Sequence, residues 1–423
     1  GVQQGLTIQQ TFLLTTGVWV ALPIFGALPL LLGASDLSFT DAFFEAMSGL
    51  TTTGSTVISG LDELPLGILL WRAILQWLGG IGIIVVAMVF LPELRVGGMQ
   101  IFRTEAFDTM GKILPRATAI ASQISVIYVG LTMACLICYA ALGMNLFDAT
   151  VHALTTISTG GFSSYDASFG VFSGNLEYVA SVFMILAALP FVRYVQLING
   201  YSLSNLWKDS QVRGFIYTIA VLTAVATAVL TTIFPHHWEQ AFREALFNIT
   251  SIISGTGYAS VDYMNWGNFL ISIFFFIGLI GGCAGSTACS IKIFRYQILF
   301  ASIRAQLHKT QSPNGVFTPR YGGRKIDDDV LNSVMSFFMF FIVTLGVLAV
   351  LLALTGLDFI TAVSGAATAV ANIGPGLGDQ IGPSGNFSGL NDPAKWLLIA
   401  GMLIGRLELL AVYAILTVSF WRA

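Results

Sequence analysis

Residues 337–354 carry no charged side chain, and apolar runs of comparable length recur at 11–32, 66–91, 119–142, 176–198, 214–234, 269–294, 334–354 and 396–420. A helix needs about 20 predominantly apolar residues to cross a bilayer. Strands of a membrane β-barrel alternate apolar and polar over about ten residues, and 337–354 shows no such alternation. Only 10% of the 423 residues are charged and 55% are hydrophobic, against about 25% charged in soluble domains. The expectation is an all-α polytopic membrane protein with eight spans, which excludes a water-soluble enzyme or nucleic-acid-binding domain.

Between the runs lie four shorter segments of one kind: 41–54 (DAFFEAMSGLTTTG), 148–160 (DATVHALTTISTG), 244–257 (EALFNITSIISGTG) and 361–374 (TAVSGAATAVANIG). Each reads as a short helix rich in small and hydroxylated residues that closes on glycine. None is long enough to span, and such lengths read as re-entrant. The pattern is helix, pore loop, helix, repeated four times. It predicts four pseudo-symmetric units around a central pore, over 1–94, 95–213, 214–325 and 326–423.

Charge placement gives an independent reading of topology. Arg95, Arg103, Lys112 and Arg116, then Lys208 and Arg213, then Arg304, Lys309, Arg320, Arg324 and Lys325 follow the second helix of the first three units. The positive-inside rule makes those loops cytoplasmic. The re-entrant side carries Asp36, Asp41, Asp62, Glu63, Asp148, Asp166, Glu177, Asp262, Asp358 and Asp379, with few bases beyond Arg243 and Lys395. An acidic rim concentrates cations at a pore mouth.

Irregular backbone at membrane depth is tolerated where it is buried in protein or lines a watery cavity. Four converging loops can replace a cation's hydration shell with backbone carbonyls, and glycine reaches positive φ at little cost. The candidate selectivity filter is Thr52, Thr53 and Gly54; Ser158, Thr159 and Gly160; Gly255, Thr256 and Gly257; and Asn372, Ile373 and Gly374. Their carbonyls would bind K+ as the transported ion.

The stretches FTDAFFEAMSGLTTTGST, QWLGGIGIIVVAM, GGCAGST, NIGPGLG and GRLE resemble the Trk/Ktr/HKT superfamily of potassium transporters across essentially the whole chain, most nearly the TrkH-type membrane subunit. The resemblance implies a potassium pore of four units with filter glycines at Gly54, Gly160, Gly257 and Gly374, in a homodimer set among lipid in the bacterial inner membrane. It also implies a cytoplasmic nucleotide-binding regulatory subunit docked on the basic inner loops, so that any nucleotide acts only through that partner. Relatives of this kind carry a further N-terminal helical region, and this sequence, which opens on Gly1, is expected to start after it.

The run 281–290 (GGCAGSTACS) should break the second helix of the third unit, since glycine and serine clusters interrupt helices. The resemblance makes Gly281, Gly282, Gly285, Ser286 and Thr287 part of an intramembrane gate below the filter, although Ala288-Cys289-Ser290 stand where relatives carry more glycine, implying a stiffer loop. Arg406 lies within an apolar run, where a lone charge costs a few kcal/mol unless paired or facing water. The resemblance points it into the pore against the gate loop. Glu408 needs a partner of its own. Pro190 should kink its helix, and Arg193 reads as snorkelling to the cytoplasmic face.

Cys135 and Cys138 form a CxxC inside an apolar run with no second ligand pair. His236 and His237 read as an interfacial cluster, and His152 as packed within a short helix. Trp71, Trp266 and Trp396 read as an aromatic belt. Asp327, Asp328 and Asp329 read as a helix start. The resulting expectation is gated potassium uptake by a protein that is not an enzyme, with pore loops facing the periplasm. The competing reading is a less selective Na+/K+ pathway, or a transporter that couples cations. In related plant transporters a serine in place of a filter glycine favours sodium, and all four glycines are present here.

Overall fold

Ser38 opens one of the short segments by accepting the Asp41 backbone N–H, and Asn145 does the same for Asp148 in the next. Asp358 accepts from Ile360 and Thr361 in the last. Each cap satisfies N–H groups that a helix start leaves without partners. The computed structural model describes residues 7–33, 35–89, 99, 117–200, 202, 204–233 and 237–422. Arg95, Arg103, Lys112, Arg116, His236 and the expected boundary at 94/95 lie outside the described residues.

The elements fall into four successive groups. The first is α1 (Ile8–Leu32), α2 (Phe39–Leu50) and α3 (Leu66–Val89); the second is α4 (Ala117–Ala141), α5 (Leu146–Ile157), α6 (Asn175–Ala187) and α7 (Phe191–Ile198). The third contains α8 (Ser210–Ile233), α9 (Trp238–Ser254) and α10 (Asn268–Gly278). It continues through the parallel pair β1 (Ile280–Gly281) and β2 (Ile291–Lys292) into α11 (Ile293–Gln311). After the hairpin β3 (Arg320–Tyr321) and β4 (Arg324–Lys325), the fourth comprises α12 (Asp328–Leu354), α13 (Phe359–Ala371), α14 (Asp392–Arg406) and α15 (Leu410–Ile415).

Among the described residues, five helices are long and apolar enough to cross a membrane unbroken: 9–32, 66–86, 121–141, 210–233 and 328–354. The return helix of each later group falls short of that length because it is interrupted, as expected of the second at Pro190 and of the third over 281–290. α6 and α7 meet at 87° across Ala188–Pro190, where proline removes a backbone donor and clashes with the preceding turn. The third return path leaves helix over 279–292, as the glycine-rich sequence there predicted. The fourth breaks after Arg406, where Glu408 (φ 60) and Leu409 (φ 41) adopt positive φ although neither is a glycine.

The groups pack in a cycle. Each short helix lies against its own return helix and against that of the preceding group: α3 on α5, α6 on α9, α10 on α13, and α14 on α2. Small residues permit the close approach. A Cβ on Gly79 of α3 would overlap the Leu50 carbonyl at the end of α2, and one on Gly49 would press on Leu75 at 3.1 Å. Nearly all of α2, α5, α9 and α13 is buried on their later turns, so these short helices, rather than the spans, form the centre of the protein.

Candidate functional site

The four short helices end in the same hydrogen-bond pattern. Thr53, Gly160, Thr256 and Ile373 donate their N–H groups five residues back, to Ser48, Thr155, Ser251 and Thr368, at 2.9–3.1 Å. The residues before them, Thr52, Thr159, Gly255 and Asn372, donate three residues back and sit at φ 53, 52, 76 and 52. This is the Schellman closure, which requires a left-handed residue just beyond the helix. Two of those residues are threonines, and a β-branched side chain at positive φ is strained by about 1–3 kcal/mol. The next turn returns to positive φ at Gly54, Gly161, Gly257 and Gly374.

These last glycines form a closed ring. A Cβ on Gly54 would overlap the Gly160 carbonyl oxygen, one on Gly161 that of Thr256, and one on Gly257 that of Ile373. A Cβ on Gly374 would come within 2.9 Å of the Thr53 carbonyl oxygen, returning to the first loop. The assignment of Ser158, Thr159 and Gly160 is therefore one residue early. Gly161 is the counterpart of Gly54, Gly257 and Gly374, while Gly160 matches Thr53, Thr256 and Ile373. Adjacent glycines at 160 and 161 left that register undecided in the sequence.

The loops are also stitched together. Ser55 Oγ donates to the Gly374 carbonyl at 2.8 Å, and Asn372 Nδ2 donates to Thr53 Oγ1 and to the Met402 carbonyl at 2.9 Å each. All four short helices present their C-termini to this ring, and a helix C-terminus carries a partial negative charge that favours a cation.

On one side of the ring opens a cavity of about 270 Å³ whose floor includes Gly54, Gly161, Gly257 and Gly374. Asp166 is the one acidic residue lining it among the described residues, and its carboxylate also accepts the Gly60 and Leu61 N–H groups at 2.8 and 3.1 Å. The other acids read as a cation-attracting rim are largely engaged. Glu177 pairs with Arg243, Asp41 with Lys395 at 2.6 Å, and Asp148 accepts from Ser164 and Tyr165 at 2.7 Å. That bond from Tyr165, with burial behind it, pushes the phenol up to about 12.

Away from that cavity, the 279–292 loop lies against the residues that close two of the short helices. Cys289 lies against Gly255, where an added Cβ would meet its backbone nitrogen at 3.1 Å, and its Sγ is 3.5 Å from Thr52 Oγ1. The loop is bound into the second group: the Cys283 N–H donates to the Ala188 carbonyl at 3.0 Å, Thr287 Oγ1 to Ala187 at 3.0 Å, and the Phe191 N–H to Gly285 at 3.0 Å. A Cβ on Gly281 would overlap the Cys289 carbonyl, and one on Gly282 would strike Ala288, so these glycines let the loop cross itself. Ser286 Oγ donates to the Cys283 carbonyl at 2.6 Å. Arg406 is 4% exposed and donates from Nη1 to Cys289 Sγ at 2.6 Å and from Nη2 to the Gly79 carbonyl at 3.3 Å. A cavity of about 30 Å³ remains beside it, bordered by Lys292, Asn372 and Glu408.

The chain matches the TrkH family, described as a cation transport protein, over residues 2–420. It belongs to the TrkH family. The chain is 46% identical to the Trk system potassium uptake protein TrkI of Halomonas elongata over 98% of its own length and 84% of that protein. To the Trk system potassium uptake protein TrkH of Escherichia coli it is 37% identical over 99% and 87%. Its structure is similar to the crystal structure of the potassium transporter TrkH from Vibrio parahaemolyticus, with a TM-score of 0.89, 36% identity, and coverage of 99% and 87%.

Within this TrkH-family fold, several buried polar contacts escaped the sequence. Glu45 and Arg72 pair at 2.8 Å, and Arg72 stacks 4.1 Å from the Phe162 ring centre while donating to the Ser163 carbonyl at 2.9 Å. Arg295 is the partner of Glu408. Lys292 is buried and donates to the Ala288 carbonyl. Arg193 pairs with Asp209 at 2.9 Å instead of snorkelling alone. His152 is buried, bonded to the Asp148 carbonyl and Ser163 Oγ at 2.9 Å. Trp266 packs in the core beside Phe274 and Tyr263 rather than in a surface belt, and Trp71 donates to the Gly26 carbonyl at 2.9 Å. The Glu45–Arg72 and Arg295–Glu408 partners are 27 and 113 residues apart in the chain and carry no local signal that they meet, which is why sequence patterns missed these pairs.

Proposed function

We propose that this TrkH-family chain is the pore of a gated potassium uptake system in the bacterial inner membrane. The observation that carries the reading is the closed ring of four loops, each offering carbonyls at a helix C-terminus where positive-φ glycines allow close approach. Potassium enters from the cavity of about 270 Å³ on the periplasmic side and exchanges water for the carbonyls of Thr52, Thr53 and Gly54 and their counterparts in the other three loops. Gly281, Gly282, Gly285, Ser286 and Thr287 belong to the gate, and Arg406 holds it shut through Cys289. The Arg406 charge beneath the ring also repels cations until the loop moves.

The names of the relatives, each a component of a Trk system for potassium uptake, support potassium as the transported ion. They also support a place for this chain as the membrane subunit of a multi-component system. In this reading the chain forms a homodimer, surrounded by lipid, and a cytoplasmic nucleotide-binding subunit acts on the gate from the side of the basic loops. The protein moves an ion and performs no covalent chemistry.

Rubidium uptake into potassium-loaded liposomes holding the purified protein tests the reading. Block by external potassium with little effect of sodium is the expected result. Equal block by the two ions would replace it with an unselective cation pathway. No uptake in either the parent or Arg406→Ala protein would sink permeation altogether.

A further inference from the structure

The second loop differs from the others in what grips it from behind. Gln76, fully buried on α3, aims both ends of its amide at that loop. Its Nε2 donates to the Gly160 carbonyl oxygen at 2.6 Å, and its Oε1 accepts the Phe162 backbone N–H at 3.0 Å. These partners fix the orientation of the amide, because a flip would set oxygen against oxygen and N–H against N–H. Glycine at 160 makes the grip possible, since a Cβ there would overlap the Gln76 amide.

Gly160 provides one of the four equivalent carbonyls of the ring. Among the described residues, the other three, on Thr53, Thr256 and Ile373, accept no hydrogen bond. A carbonyl oxygen has two lone pairs, so Gly160 can hold the amide and still face a cation. The amide takes up part of its negative field and prevents it from swinging. Discrimination between potassium and the smaller sodium depends on carbonyls that do not close in, and on their field strength. Both are set at Gly160 by Gln76.

We propose that Gln76 is a selectivity-determining positioning residue, which holds the second loop at the spacing suited to potassium. The proposal rests on the pore reading above. It also places the grip next to the gate, because Gly79, whose carbonyl accepts Arg406 Nη2, lies one helical turn further along the same face of α3.

The test is rubidium uptake by the full chain in liposomes, comparing the sodium and potassium concentrations that give half block. Gln76→Met keeps the side-chain length and removes the amide. Gln76→Asn keeps the amide but withdraws it by one carbon, and serves if the methionine variant is not monodisperse in detergent. The expected result is continued uptake with potassium preference reduced about tenfold, the scale of one lost hydrogen bond. An unchanged preference, with uptake merely lowered, would make Gln76 a packing residue and overturn the proposal. A parent protein without potassium preference would instead overturn the potassium-selective reading on which the proposal rests, so the two failures are told apart.

Discussion

Arg406 on α14 and Cys289 on the crossing loop are joined by a hydrogen bond of 2.6 Å, directly beneath the residues that close the four short helices. The same guanidinium reaches the Gly79 carbonyl of α3 at 3.3 Å and lies 5.6 Å from the Trp19 ring centre of α1. One side chain thus ties the first and fourth groups to the loop of the third.

Removing that tie should open the path. Arg406→Ala is expected to raise rubidium uptake by about tenfold or more, since hydrogen bonds to charged groups are worth ~1.5–3 kcal/mol. Cys289→Ala should raise it less, because the Gly79 contact survives. The double variant should match Arg406→Ala alone, the non-additivity expected of residues in contact. Independent, additive increases would show that the bond does not hold the gate.

Gly161→Ala should abolish selective uptake. The added Cβ would overlap the Thr256 carbonyl and force alanine to φ +76. Gly130→Ala is the control on α4, where a Cβ meets nothing within 4 Å; it should leave selective uptake unchanged and, because it replaces a helix-interior glycine, raise stability by about 0.5–1 kcal/mol if anything. Selective uptake preserved in Gly161→Ala would contradict the ring as described.

Glu45→Ala should destabilise the protein by roughly 3–5 kcal/mol, the cost of stranding a buried charge. It leaves Arg72 without its carboxylate and also removes the acceptor of the Thr56 hydroxyl and the Val57 N–H. Thermal unfolding in detergent reads this out. A shift no larger than that of a surface substitution would refute the structural importance of the pair.

Asp166→Asn should slow uptake at low ionic strength, by less than about tenfold, with the difference fading as salt rises and screens the lost charge. Asp166 accepts the Gly60 and Leu61 N–H groups on separate oxygens, so the single amide oxygen keeps one of them and a modest stability loss of about 1 kcal/mol should accompany the change. A defect independent of salt would assign Asp166 to loop structure rather than to cation capture.

Much of this was legible in the sequence because it is local. Apolar length placed the spans, proline placed the bend at Ala188–Pro190, and glycine density placed the break over 279–292. The four glycine-closed segments announced their kinship by composition alone. The break after Arg406 was not legible, since Leu407, Glu408 and Leu409 are ordinary helix formers. There, the pairing of Glu408 with Arg295 accompanies a turn the local sequence does not favour.

The sequence by itself determined a helical membrane protein with four short glycine-closed segments, because hydrophobic length and glycine placement act over a few residues of chain. Only the tertiary structure decided that Gly161, not Gly160, is the counterpart of Gly54, Gly257 and Gly374, and that Gln76 occupies the space a Cβ at 160 would need. It alone matched Arg72 to Glu45 and Arg295 to Glu408. Buried polar groups must find partners wherever the packing brings them, and that meeting is a property of the assembled helices rather than of any stretch of sequence.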